Sequence, residues 1–524
     1  MNSFSRYLTL AAGCAVLAAG GVQAAEGTWS QGLSEAMALS EKGLYARAAD
    51  TANKALESAE KDVGYDAPEM LETLVLLANF YQSWGNYAQA ETLHLRALSI
   101  YEMQENDHLP EAADVMDQLA RIYVRQGRLA EAQSLGTRAL RVREGHYDGD
   151  RPEIAASLTT LGEVQLARGE SEAAERSYMR ALQMLESALG PGAAELAQSY
   201  SHLAFFYERL GQMSKAEAKH NQALEIRKTK LGENHPDTAQ SLNNLGLFYV
   251  AKGEWDKAEE YHRAALEVRK KALGLEHPQT AQSINNLALV YEARGKFDGA
   301  LPLFESALEI RKRTLGEKHP DVGESLFNLA SFYHNGKAFE SAERLYKEAI
   351  DLWQAVYGMS HPHVATAMAS VAEIYRAQGK TVLAVTLAER ALAIRERVYG
   401  GEHPEIADSL SSLGVIYRSQ KEYTKAEESY ERALKIMERT LGEGHPRLGF
   451  LLNNLGLLYN EQEIYGKAAD IFEKSRALFA QHYPGSLELA VVLDNFAIAA
   501  EALGREAEAL ESRRQATAIR DSLK

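Results

Sequence analysis

Six histidines, each followed by proline, form the most regular chemical feature of the chain: His235, His277, His319, His361, His403 and His445 stand 42 residues apart. Imidazole ligates metals and moves protons near neutral pH, so such an array is first a candidate for metal or acid–base chemistry. A metal site needs convergent ligands, such as two histidines at i and i+4 on a helix, or a histidine with cysteine or carboxylate at ligand spacing. One imidazole per 42 residues supplies neither, which assigns these histidines to links between elements and predicts no metal site. His94, His220 and His262 share a register filled elsewhere by Tyr178, Phe304, Tyr346, Tyr430 and Phe472, and read as packing residues. The chain contains no Gly-x-x-x-x-Gly-Lys-Ser/Thr, no His-Glu-x-x-His and no Gly-x-Ser-x-Gly. The expectation is a non-catalytic protein with no cofactor and no small-molecule substrate.

Cations cluster at Arg227-Lys228, Arg269-Lys270-Lys271 and Arg311-Lys312-Arg313. At helix C-termini they complement the macrodipole by ~0.3–1 kcal/mol each. Stacked at a constant interval, they would also make a basic stripe able to receive acidic peptides. A formal net charge of -16 argues against nucleic acid as a partner, because no run of Lys and Arg supplies a phosphate-neutralising face. Cys14 is the only cysteine, so disulfides and cysteine-ligated metals are excluded.

The elements that carry these residues repeat. Stepping back from the His-Pro series by 42 residues finds Pro152, Pro110 and Pro68, with Ala194 the one break. Alanine stands at 48, 90, 132, 174, 216, 258, 300, 342, 384, 426 and 468, and at 509 after one residue is lost near Tyr483-Pro484-Gly485. Each unit reads as two helices. From Asp237 to Gly274, the first carries Ala239, Leu242, Leu245, Gly246 and Tyr249 on one face and ends at Lys252-Gly253. The second carries Ala258, Tyr261, His262, Ala265 and Leu266 and ends at Leu273-Gly274; proline then opens the next unit, where its fixed φ and missing N–H cost nothing. Gly246, Ala258 and Ala265 are small so that helix backbones can approach. Irregularities fall at Lys421, Glu463 and Gly336 in the turn, at Gln165 in place of tyrosine, and at Pro302, which should kink a second helix.

This set of spacings resembles the tetratricopeptide repeat, and the 42-residue form with Leu-Gly-x-x-His-Pro links and Asn-Asn in the first helix resembles its kinesin-light-chain subclass. The resemblance implies an all-α fold: a right-handed superhelical α-solenoid of about twelve helix-turn-helix repeats. The expected organisation is a signal peptide at 1–24, an N-terminal capping repeat at 25–66, tandem repeats at 67–486 and a C-terminal capping repeat at 487–524.

In that family the first helices line a concave surface. With Ala239 as position 1, the core takes positions 1, 4, 7, 8, 10 and 11, leaving 2, 5, 6, 9, 12 and 13 for the groove. Position 6 is rich in amides, among them Asn244, Asn286 and Asn328; position 5 adds Asn243 and Asn285, and position 9 contributes Leu247 and Leu289. An amide both donates and accepts, which suits holding the backbone of an extended peptide. The stretch from Gln240 through Gln282 to Leu289, with Asn328 beyond it, is therefore the candidate surface for a protein or peptide partner. The same amides could instead bond to neighbouring helices and serve only the superhelix.

The N-terminus has one cation, Arg6, an apolar run from Tyr7 to Ala19, and small residues ending at Ala24, the pattern of a cleavable export signal. Leu10-Ala11-Ala12-Gly13-Cys14 loosely resembles a lipobox. The expected location is the periplasm or exterior of a bacterium, with an outer-membrane lipoprotein as the alternative; the membrane is a partner only if Cys14 is lipidated. The expected function is an exported adaptor that holds peptides or protein surfaces in its groove, and the second reading is a structural subunit of a secretion or polymer-export assembly.

Overall fold

A computed structural model describes residues 28–41, 45–83 and 86–522. The expected export signal and Cys14 lie outside these residues. The described residues form 24 helices and no strand. In order they are α1 (Thr28–Glu41), α2 (Tyr45–Val63), α3 (Met70–Ser83), α4 (Tyr87–Met103), α5 (Pro110–Arg125), α6 (Leu129–His146), α7 (Pro152–Ala167) and α8 (Ser171–Leu189). There follow α9 (Leu196–Arg209), α10 (Met213–Leu231), α11 (Pro236–Lys252), α12 (Trp255–Leu273), α13 (Pro278–Ala293), α14 (Phe297–Leu315), α15 (Pro320–Asn335) and α16 (Phe339–Tyr357). The last are α17 (Pro362–Ala377), α18 (Thr381–Tyr399), α19 (Pro404–Ser419), α20 (Tyr423–Leu441), α21 (Arg447–Glu461), α22 (Tyr465–His482), α23 (Leu487–Ala502) and α24 (Glu506–Ser522). Odd-numbered helices are the first and even-numbered the second of each pair. None is long and apolar enough to cross a membrane.

Two compact units are present: one comprises the described residues up to Glu208 with Met213–Val364, the other Arg209–Gln212 with Ala365 onwards. Within each, every helix pair packs on the next. The twelve recurrent alanines are all buried, none more than 1% exposed. Where the first helix carries glycine, its partner carries a ring. A Cβ added to Gly162, Gly246, Gly414 or Gly456 would fall 2.8, 2.6, 2.5 and 2.6 Å from Tyr178, His262, Tyr430 and Phe472 respectively. The small residues thus set the helix spacing, as the sequence pattern requires. The rings of His94, His220 and His262 are buried at this register.

The two turns of each repeat differ in what they demand. Between first and second helix the turn residue is left-handed: Gly253 has φ 73°, and Lys337, Lys421 and Glu463 hold φ of 60–62° at the same register. Gly336 precedes this position with φ -76° and is an ordinary helix end. A left-handed non-glycine costs roughly 1–2 kcal/mol, which a packed array tolerates. After the second helix, Gly274 and Gly316 combine φ of 87° and 86° with ψ of 169° and 155°. That region is essentially closed to any residue with a Cβ, which explains the glycine that recurs at 190, 232, 274, 316, 358, 400 and 442. Pro302 does not break α14, which runs from Phe297 to Leu315.

The His-Pro histidines are helix caps. Nδ1 of His235, His277, His319, His361, His403 and His445 accepts the backbone N–H two residues on, at 3.1–3.2 Å. Proline takes the first helical position, so each ring satisfies the first N–H left without an intrahelical partner. Among the described residues no three His, Cys, Asp or Glu side chains gather where a metal could sit.

The first-helix face as candidate interaction surface

Burial separates the nominated residues into two sets. Asn243, Asn244, Asn285, Asn286 and Asn328 are buried, whereas Gln240, Leu247, Gln282 and Leu289 are half-buried. The sequence frame leaves positions 5 and 6 to the groove. The structure instead closes them between adjacent first helices, because each first helix packs on the next one as well as on its own partner. Asn286 Nδ2 donates to Asn243 Oδ1 at 2.8 Å, and Asn328 Nδ2 to Asn285 Oδ1 at 3.2 Å. The same rung recurs at Asn495 and Asn453, at 2.9 Å. The paired asparagines therefore form a ladder from one repeat to the next, and a buried amide requires such a partner.

Position 2 is tied down from the other side by an arginine. Arg269, near the end of α12, is fully buried; its guanidinium donates to Gln240 Oε1 in α11 at 2.6 Å, and to Ser283 Oγ and the Gln279 carbonyl in α13 at 2.9 Å each. It reaches Gln282 Oε1 at 3.2 Å as well. Gln240 Nε2 donates onward to Asn244 Oδ1 at 2.8 Å, so Gln240 is engaged at both ends. One side chain thus joins three helices of two repeats.

The arginine staple recurs in register. Arg143, Arg227, Arg311 and Arg395 are buried and donate to Ser157, Ser241, Ser325 and Ser409. Burial lowers Arg269 to about 10 and lowers Arg227, and Arg269 remains cationic at neutral pH. Arg227, Arg269 and Arg311 are among the cations that the sequence pattern assigns to helix-end dipole partners or a basic stripe. Their burial leaves no stripe at this register, because the guanidinium hydrogen bonds run inward across the repeat boundary. The staple was visible in the sequence as a serine fourteen residues after each of these arginines. Spacing alone does not reveal whether a guanidinium at a helix end turns inward to that serine or outward to water.

What stands proud of this bonded floor is apolar. Leu247 and Leu289, with Phe205 one repeat earlier in the same register, are half-buried, and Val250 and Ala293 lie beside them. Charged groups flank this stretch: Arg121 pairs with Glu163 at 3.5 Å, with His202 3.6 Å from the same carboxylate, and Asn335 Nδ2 donates to Glu292 at 2.6 Å. Burial lowers the His202 pKa.

Comparison with known proteins agrees with the helix pairing. A tetratricopeptide repeat family model matches residues 32–103, 111–187 and, in overlapping matches, 195–271 through 451–522. No curated protein matches the chain. Among solved structures, BtubC (BKLC) from P. vanneervenii is 26% identical with a TM-score of 0.37, covering 44% of this chain and 91% of that one. A kinesin-light-chain-type protein of Podosopora anserina with nearly identical TPR-like repeats is 28% identical with a TM-score of 0.33, covering 39% and 98%. A Rap protein complexed with competence and sporulation factor is 15% identical with a TM-score of 0.48, covering 72% and 99%. With family matches running from residue 32 to 522 over helices paired in the same register, the chain belongs to the tetratricopeptide repeat family.

Proposed function

We propose that this protein is an exported, non-catalytic scaffold that receives an extended segment of a protein partner along its first-helix face. The observation that carries the reading is the half-buried apolar row of Leu247 and Leu289 above a hydrogen-bonded floor. Repeat arrays use such continuous faces for recognition, and a partly solvated apolar row flanked by polar groups suits a peptide with one or two apolar anchors. Asn243, Asn244, Asn285, Asn286 and Asn328, buried between first helices, hold the spacing of that row, and the half-buried Gln240 and Gln282 lie at its edge.

Two pairs of variants test the assignment. Leu247→Asp with Leu289→Asp should weaken partner capture at least tenfold, measured by quantitative mass spectrometry of what copurifies from the exported fraction, with little change in melting. Asn244→Leu with Asn286→Leu should lower the melting temperature through loss of the amide network. Unchanged capture by the variant with Leu247→Asp and Leu289→Asp would reject the surface. Export is tested by the mature N-terminus: Ala25 first for a cleaved signal, a lipidated Cys14 for the membrane-anchored alternative.

A further inference from the structure

The cap histidines share one bond but not one environment. His235 is half-buried and caps α11 alone, whereas His361 is buried and has a second partner far away in sequence. Its Nε2 lies 2.5 Å from the carbonyl oxygen of Arg125, the last residue of α5, 236 residues earlier. Around this bond, α16 packs on α4. The Tyr357 ring stacks on His361 with centroids 4.1 Å apart and on Tyr87 at 5.8 Å. All of these residues belong to the first unit. The second unit contains the same bond: His445 Nε2 lies 3.1 Å from the Arg209 carbonyl, again 236 residues earlier, while its Nδ1 accepts from Arg447.

We propose that His361 is an acid-labile clasp, which in its neutral form ties the start of α17 to the end of α5 and on acidification lets the two part.

The bonding pattern fixes the tautomer. Nδ1 accepts the His363 N–H at 3.1 Å, so it carries a lone pair; Nε2 faces a carbonyl, so it carries the hydrogen. Both nitrogens are used. A second proton can enter only at Nδ1, where it would convert the acceptor into a donor aimed at another N–H. The surroundings do not compensate. The Arg125 guanidinium and the His363 ring, 4.8 Å from His361, bring positive or protonatable groups, while Tyr87 and Tyr357 offer phenols and no carboxylate. Asp321 and Glu324 act on Tyr357 from α15. Burial holds the imidazole of His361 well below its ordinary range, with His363 adding to the effect. A histidine that is neutral in the closed form and free to protonate in the open one shifts the equilibrium toward opening as pH falls. The shift approaches tenfold per pH unit below about 6.5.

The clasp can be measured by nitroxide labels at Ala88→Cys and Met359→Cys, exposed positions next to Tyr87 and two residues beyond Tyr357, in the full chain carrying Cys14→Ser. One short distance is expected at pH 7.5, with the ratio of long to short distances rising about 30-fold between pH 7.5 and 5. Asparagine is a good N-cap but too short to span to Arg125. His361→Asn should therefore show the long distance already at pH 7.5 and no further response to acid, while His235→Asn should behave as the unsubstituted chain. A short distance that persists to pH 5, a His361→Asn protein indistinguishable from its parent, or opening in His235→Asn would each overturn the proposal. So would loss of the helical circular-dichroism signal over the same range, because the change would then be global unfolding.

Discussion

Arg269 has no exposure to water and keeps its charge because its surroundings replace the lost hydration with four oxygen acceptors: Gln240 Oε1, Gln279 O, Gln282 Oε1 and Ser283 Oγ. Removing one partner of such a network is costly because the others stay buried without it. Arg269→Met should lower stability by about 2–4 kcal/mol, read from thermal or denaturant unfolding, since those acceptors lose a charged donor together. The chain already contains the apolar solution: at the same register Met437 stands with Leu451 in place of the serine. If Arg269→Met melted with its parent, the staple would be incidental to stability.

At the scale of the element, two first helices reveal a coupled exchange. Trp353 and Phe479 occupy the staple register, and opposite each the first helix carries glycine, at 323 and 449, where the repeats stapled by arginine have alanine. A Cβ on Gly323 would lie 2.5 Å from Trp353 Nε1, and one on Gly449 2.9 Å from the Phe479 ring. The indole also donates to the Pro320 carbonyl at 3.2 Å. Helix spacing is thus conserved by trading a methyl group on one helix for an aromatic ring on the other. Gly323→Ala should destabilise by about 1–3 kcal/mol through overpacking. Adding Trp353→Arg and Ala367→Ser, which rebuilds the arginine staple, should recover most of that loss. A cycle of chemical-denaturation measurements showing strict additivity would refute the coupling.

For the whole molecule, buried histidines give stability a pH dependence of known sign. Burial holds His94 and His277 down to about 4 and His262 down to about 3; burial, with Arg447 second, holds His445 down to about 4. Unfolded histidine titrates near 6.5. Between these values the unfolded chain binds more protons, so the histidine contribution is complete above pH 6.5 and is lost as pH falls toward 4, by at most about 1.4 kcal/mol per unit for each ring. Burial raises Asp114, Asp117 and Asp408, which act in the opposite sense. His262→Phe, patterned on Phe472 against Gly456, isolates one ring. Its melting temperature should exceed that of the parent by more at pH 5 than at pH 7.5, and equal gains at both would exclude the linkage. Because neighbouring repeats share their interfaces, unfolding in such an array is a sum of local and nearest-neighbour terms, and several probes along the chain are needed to follow it.

The helix pairs, their turns and the alanine contacts were legible in the linear sequence because each depends on residues within one repeat. Helix periodicity, the proline start, the glycine stop and close backbone approach are local requirements, and their repetition averages out exceptions such as Lys421 and Glu463. The interaction face was only half legible. Sequence spacing identified which side of the first helix is free of its own partner, but Asn243 and Asn286 meet across 43 residues, and Arg269 reaches Gln240 across 29. Whether an amide faces water or another amide depends on how closely successive first helices pack, and that distance is a property of the stack. The bond between His361 and Arg125 is further still from anything a repeat encodes, since it exists only where two stretches 236 residues apart return to each other. Sequence alone determined the unit and its register, and tertiary structure alone decided which polar side chains were consumed in joining the units.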